Sequence, residues 1–255
     1  MTGASSGIGA ALARVLAARG DTVGIVARRE DRLDAVLAQC RRSSPASQRW
    51  VADLGDLDRA EAVALEAWDA FGGLDVLVNN AAIPQVCHVT KLTPAEIERQ
   101  MRVNYLSPVG MTMALLPRML EQGSGTIVNV GSVGGRLGIA REAAYTGAKF
   151  ALTGWSEALA LDLWDTGITV KLVTPGAVDT EIWTHPDVEP TVYDGDKASP
   201  EDVAAEIIPF FDDDRFEIFP PAAQHMEAVV KGKAKDVDAF LRGVADWEAQ
   251  ERAKR

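Results

Sequence analysis

Thr2-Gly3-Ala4-Ser5-Ser6-Gly7-Ile8-Gly9 runs directly into a helical pattern over residues 10–19. Glycines at 3, 7 and 9 let the chain turn tightly and bring its backbone against a pyrophosphate, which then sits on the N-terminus of the following helix. Alone the pattern also suits an ordinary flexible turn; a strand before it and a helix after it give it meaning. The helix is there. Only Met1 stands before Thr2, so the strand expected to lead into the loop is missing from this chain.

Working outward, short apolar runs alternate with longer helical patterns. Strands are expected at 22–27, 49–53, 74–79, 126–130, 168–174 and 216–219, and helices near 8–19, 30–41, 56–70, 94–121, 142–165 and 200–211. Strands separated by helices read as βαβ units and a parallel sheet. Runs such as Val-Leu-Val at 76–78 are apolar on both faces, as strands covered by helices on both sides must be. The fold class is therefore α/β, a doubly wound parallel sheet in one domain. In such a sheet the first strand is central, and its loss removes roughly ten ladder hydrogen bonds at about 1 kcal/mol net each. The expectation is that the working protein has a few more apolar residues upstream, with an inactive N-terminally truncated product as the other reading.

Residues 1–220 are assigned to one domain that carries the glycine loop. Residues 177–198 carry Pro, Gly, Asp and Thr without a sustained period, and long irregular segments inside compact domains are often lids. Residues 221–255 form a C-terminal helical extension, in which Val237, Phe240, Leu241, Val244 and Trp247 make an apolar stripe. The net charge of −11 disfavours nucleic acid and anionic membrane surfaces as partners. Cys40 and Cys87 have no spacing that suggests zinc, so no metal is expected. The absence of a long uncharged apolar stretch and of a signal peptide predicts no membrane span and a cytoplasmic location.

Further motifs follow in order: Asp53-Leu54 after the second expected strand of this chain, Asn79-Asn80-Ala81-Ala82 after the third, then Asn104, Ser132, Tyr145-Thr-Gly-Ala-Lys149 and Pro175-Gly176. With the glycine loop these seven features, in register over residues 1 to about 220, resemble the short-chain dehydrogenase/reductase family in its compact form of about 250 residues. Ala82 stands where that family often has glycine. The resemblance implies a Rossmann-type three-layer αβα fold and a hydride-transferring enzyme of the CH-OH/C=O type.

Tyr145 and Lys149, four residues apart, share one face of a helix. A free tyrosine has a pKa near 10, and a nearby ammonium favours its phenolate. In isolation such a pair is an ordinary solvated helix face; its position thirteen residues after Ser132, at a strand end where ligands of these sheets bind, reverses that reading. By resemblance Tyr145 is the general acid and base, Ser132 bonds the reacting oxygen, Lys149 lowers the tyrosine pKa and binds the nicotinamide ribose, and Asn104 holds a water linking Lys149 to solvent. The cofactor is expected against Gly3, Ser5, Ser6, Gly7, Ile8, Gly9, Arg28, Asp53, Leu54, Asn80, Ala81, Tyr145, Lys149, Pro175, Gly176 and Thr180.

The second βα turn ends Ala27-Arg28-Arg29, where an NAD-selecting enzyme places a carboxylate for the ribose 2′-hydroxyl. Guanidinium binds a 2′-phosphate with charge-assisted bonds, so NADP(H) is favoured over NAD(H), with Arg28 at the phosphate. Ile83, Pro84, Val133, Arg136, Leu137, Ile182, Trp183 and Tyr193 are the expected specificity positions, and their character favours a hydrophobic ketone or secondary alcohol. The helix from Tyr145 is apolar on more than one side, through Phe150, Leu152, Trp155, Leu159, Leu163 and Trp164, which predicts a homodimer or homotetramer. A catalytically silent nucleotide-binding regulator on the same fold is the competing functional class.

Overall fold

The computed structural model describes residues 1–184, 189, 193 and 195–253. Six short parallel strands, β1 Gly24–Ala27, β2 Gln48–Val51, β3 Val76–Asn79, β4 Gly125–Val130, β5 Ile168–Val173 and β6 Glu217–Ile218, form two sheets ordered β1-β2 and β3-β4-β5-β6. Met1 and Thr2 join them. Met1 O accepts from Val26 N at 2.9 Å, and Thr2 N donates to Val78 O at 3.0 Å, so β1 and β3 lie on either side of the N-terminal residues. The resulting order β2-β1-[1–2]-β3-β4-β5-β6 reverses at those residues, and ligands of such sheets bind at the carboxyl ends of the strands where the order reverses.

Helices cover both faces. α1 (Gly7–Ala18) packs against α2 (Glu30–Cys40) and α7 (Pro200–Phe210), over a core of Leu12, Ile25, Leu33, Val203 and Ile207. On the other face α3 (Leu57–Phe71) packs on α5 (Ser107–Gln122), and α4 (Pro94–Met101) on α6 (Ala143–Asp162), over Val63, Leu115, Met119 and Ile127. All six expected strands and all the expected helices are present. The helical pattern over 94–121 differs in one respect: a π-helical turn, Arg102–Leu106, separates α4 from α5. It lets Asn104 turn inward, its side chain 1% exposed.

The tail folds as α8 (Met226–Lys235) and α9 (Val237–Ala253). Lys233 anchors α8 to the domain, donating to Arg136 O at 2.7 Å and lying 4.8 Å over the Phe150 ring. Among the described residues no helix is long and apolar enough to cross a membrane.

Candidate active site

A cavity of about 1230 Å³ opens above the carboxyl ends of the strands. Its size exceeds the roughly 300–1,000 Å³ of an ordinary small-molecule site. The glycine loop forms one wall, and each glycine has a different reason to be there. Gly3 has φ +66°, and a Cβ there would lie 2.7 Å from Ala81 Cα; a Cβ on Gly9 would lie 2.5 Å from Asn80 Nδ2. Gly7 (φ +56°) faces the Thr180 methyl, which a Cβ would meet at 3.0 Å. The loop is thus pressed against the segment after β3. Thr2 Oγ1 accepts from Asn80 N at 2.9 Å and Ala81 N at 3.0 Å, while Asn80 Nδ2 donates to Thr2 O at 3.0 Å.

The floor is built by β4 and α6. Ser132 follows β4, and its Oγ accepts from Gly134 N at 3.0 Å. Tyr145 and Lys149 project from the first turns of α6, 8% and 2% exposed. Lys149 Nζ donates to Val130 O at 2.9 Å and lies 5.9 Å from the Tyr145 ring centroid. Burial dominates both groups. It pushes Tyr145 well above the ordinary tyrosine range, against the pull of a hydrogen bond with Ser132 and with a contribution from the nearby Glu142 charge. It lowers Lys149 to about 8. In the protein alone the largest influence on Tyr145 is desolvation, which penalises the phenolate, and the Ser132 hydrogen bond works against it.

Glu142, one turn before Tyr145, faces the same cavity and is raised to about 7 by burial. The backbone just ahead of it is held in an unusual state: Arg141 has φ 68°, and its carbonyl accepts from Cys87 N at 2.9 Å and Gln85 Nε2 at 3.1 Å. Behind the floor runs a chain of buried polar groups that the sequence reading did not identify. Asn79 Nδ2 donates to Asn129 Oδ1 at 2.9 Å, Asn129 Nδ2 to Ser156 Oγ at 2.9 Å, and Ser156 Oγ to Leu152 O at 2.7 Å.

Nearly all the expected site residues meet at this cavity: Gly3, Ser5, Ser6, Gly7, Ile8, Arg28, Asp53, Leu54, Asn80, Ala81, Ser132, Tyr145, Lys149, Pro175, Gly176 and Thr180 line it. Gly9 lies beneath, its function being close packing. Asn104 stands behind the lining; its Nδ2 donates to Ile83 O at 3.0 Å and Gln100 Oε1 at 2.6 Å, and its Oδ1 accepts from Ile83 N at 2.9 Å. Its side chain therefore fixes the loop after β3.

One side chain departs from the sequence reading. Arg136, expected among the specificity positions, turns away from the cavity and pairs with Glu157 at 2.6 Å and Glu217 at 2.8 Å, because those carboxylates offer a half-buried guanidinium its partners. At the second βα turn Arg28 lines the cavity as expected, and Arg29 beside it donates to Ser6 Oγ at 2.8 Å, Ser5 Oγ at 3.2 Å and Glu181 Oε2 at 2.6 Å. Glu181 also pairs with Arg32, and the two guanidinia hold its carboxyl down to about 2.

The segment 177–198 is described in part; residues 185–188, 190–192 and 194 lie outside the described residues. Its stem is anchored. Asp179 N donates to Ala198 O at 2.8 Å, Ala198 N to Ala177 O at 3.0 Å, and Gln224 bonds both backbone groups of Ala177 at 2.8 Å. Trp183 donates its indole N–H to Val178 O at 2.6 Å and stacks on Tyr193, with ring centroids 5.8 Å apart. Met226 and Val229 of α8 and Phe240, Val244 and Trp247 of α9 also line the cavity. Three residues of the stripe read in the tail thus line the site, while Val237 and Leu241 are exposed away from it.

The profile described as short chain dehydrogenase matches residues 1–188. The chain belongs to the short-chain dehydrogenase family. Among relatives, the ketoacyl reductase HetN of Nostoc sp. is 35% identical over 181 residues, 70% of this chain and 62% of that protein. The chain thus matches less than two thirds of that relative's length. A short-chain dehydrogenase from Sphingobium yanoikuyae in complex with NADPH superposes with a TM-score of 0.80 at 30% identity, covering 92% of this chain and 94% of that one. Another short-chain dehydrogenase, from Streptomyces avermitilis, gives a TM-score of 0.81 at 31% identity, covering 100% and 97%. The Rossmann-like α/β domain is thus that of the short-chain dehydrogenases over essentially its whole length.

Proposed function

We propose that this short-chain dehydrogenase uses NADP(H) to interconvert a bulky, largely apolar ketone and its secondary alcohol. The observation that carries the reading is the meeting of Ser132, Tyr145 and Lys149 in one cavity with the glycine loop. The chain fits a dinucleotide. The loop has no side chain at Gly3 or Gly7 to block a pyrophosphate, the Ser5 and Ser6 hydroxyls lie beside it, and α1 presents its N-terminus there. Asp53, Leu54, Asn80 and Ala81 suit the adenosine side. Lys149, Pro175, Gly176 and Thr180 suit the nicotinamide side. Arg28 and Arg29 offer cations to a 2′-phosphate, in keeping with the NADPH of the Sphingobium yanoikuyae enzyme.

When bound, the nicotinamide supplies or accepts the hydride. The protein's own part is the proton. In reduction the Tyr145 hydroxyl gives its proton to the carbonyl oxygen and is reprotonated through Lys149; in oxidation Tyr145 first gives its proton up toward Lys149, and the resulting phenolate takes the proton of the alcohol. Ser132 holds that oxygen in place as charge develops on it. Lys149, with a pKa near 8, keeps a positive charge beneath the tyrosine through the neutral range and returns protons to it. Asn104 acts by holding Ile83 and the loop beside the reacting centre.

Leu137, Trp183, Tyr193, Phe240, Val244 and Trp247 all line the cavity, and this apolar and aromatic lining supports an apolar group on the carbonyl carbon. The segment 177–198 is a lid in this reading, closing on its anchored stem to exclude water. Following absorbance of NADPH against ketones of graded bulk tests the whole: oxidation of NADPH with no ketone is the outcome against it. Exposed Phe150, Leu161 (72%) and Trp164 (79%) on and beyond α6 support contact with a second copy of the chain, which light scattering at micromolar concentration checks.

A further inference from the structure

The second βα turn carries no carboxylate in sequence, yet a carboxylate occupies it in space. Glu181 arrives there from 152 residues beyond Arg29, on the short 3₁₀ turn Glu181–Trp183 that follows β5. One of its oxygens meets Arg29 at 2.6 Å and the other meets Arg32. The same Arg29 guanidinium reaches the Ser5 and Ser6 hydroxyls of the glycine loop, and the Thr180 side chain rests on Gly7. The start of the segment over the cleft is therefore tied to the adenosine end of the site through one shared arginine. Arg28 lines the cavity without an ion-pair partner among the described residues.

We propose that Glu181 is a cofactor-discriminating residue: its carboxylate competes with the 2′-phosphate of NADP(H) for Arg29 and Arg32, and a dinucleotide with a free 2′-hydroxyl leaves that bridge intact. The inference rests on the dinucleotide site proposed above and deepens it. A 2′-phosphate approaching Arg28 and Arg29 meets a fixed negative charge on the same guanidinium, and Coulomb repulsion at a few ångströms is felt even at a solvated surface. To bind both arginines it must take Arg29 from Glu181. That exchange is feasible because all three side chains are two-fifths or more exposed, and exposed ion pairs are weak. Displacing Glu181 also unties the Glu181–Trp183 turn from α2, whereas NAD(H) gives no such release. Glu181 therefore tempers the preference for NADP(H) that the arginines create and makes the turn over the cleft respond to the phosphate.

The test is calorimetric binding of NADP⁺, NAD⁺, 2′,5′-ADP and 5′-AMP to the parent and to Glu181→Gln. Gln keeps the size and some hydrogen bonding, so a purely structural role would shift all four ligands alike. The expected result is about fivefold tighter binding of NADP⁺ and 2′,5′-ADP, with NAD⁺ and 5′-AMP changed by less than about twofold. Glu181→Lys moves the same ratio further in the same direction. Equal shifts for all four ligands, or no shift, overturn the role of Glu181 and leave the dinucleotide site standing. A parent that binds none of the four removes the site and this inference together.

Discussion

Tyr145 and Lys149 sit 8% and 2% exposed on a 20-residue helix, while Arg29 and Glu181 leave 41% and 44% of their side chains in solvent. On the floor, burial fixes position from all sides and disfavours the charged form of each group, raising Tyr145 and lowering Lys149 to about 8. At the rim, water and salt weaken every pair, and each partner can be exchanged for another of the same charge. The site thus divides its work. In the function proposed above, the chemistry falls to the buried floor and the choice of cofactor to the exposed rim, where partners can trade.

Tyr145→Phe is the most severe test of that division. It removes one hydroxyl and little volume, so kcat is expected to fall by about 10²–10⁴-fold while NADPH titration by fluorescence shows unchanged affinity. A variant that loses binding as well as turnover would mean that floor and rim are not separate. Next, Arg28→Ala and Arg29→Ala are each expected to weaken NADPH about tenfold and to spare NADH, with the loss shrinking as ionic strength rises. Equilibrium titration at low and high salt reads this.

Phe240→Ala and Trp247→Ala extend the comparison to the apolar wall. Each is expected to lower kcat/KM for a bulky ketone by on the order of tenfold, leaving a small ketone nearly unaffected. The mildest effect concerns Glu142, whose carboxyl is raised to about 7 by burial. The folded state holds that proton more tightly than the unfolded state, so the parent loses stability as pH rises from about 4.5 to about 7. Glu142→Gln escapes that loss. Its Tm relative to the parent should rise between pH 5 and pH 7.5, as followed by thermal melts.

Much of this was legible in the chain. Strand and helix periods placed all six strands, and short-range motifs brought Ser132, Tyr145, Lys149 and the glycine loop to one cavity, because each motif sits at the end of an element that the sheet positions. What escaped was long-range. Nothing near Arg29 announces Glu181, and nothing near Arg136 announces Glu157 and Glu217; ion pairs between residues far apart in sequence leave no local period. The stripe of Phe240, Val244 and Trp247 was visible as an amphipathic helix, but a helical period says only that one face is covered, not what it faces. The π-helical turn at Arg102–Leu106 was invisible for a related reason, since one wider turn barely disturbs an apolar pattern.

The buried Asn79–Asn129–Ser156 chain has a consequence for aim. A helix turns through about 100° per residue, so Ser156, eleven residues beyond Tyr145, comes round to within about 20° of it. The Asn129 amide, fixed in β4, therefore indexes the rotation of α6 much as a key sets a shaft. A slip of one residue would swing the phenol through about 100° and leave a buried amide unpaired, a penalty of about 1–3 kcal/mol. The direction in which the Tyr145 hydroxyl points is thus set three turns away, at β4, by a bond outside the cavity lining.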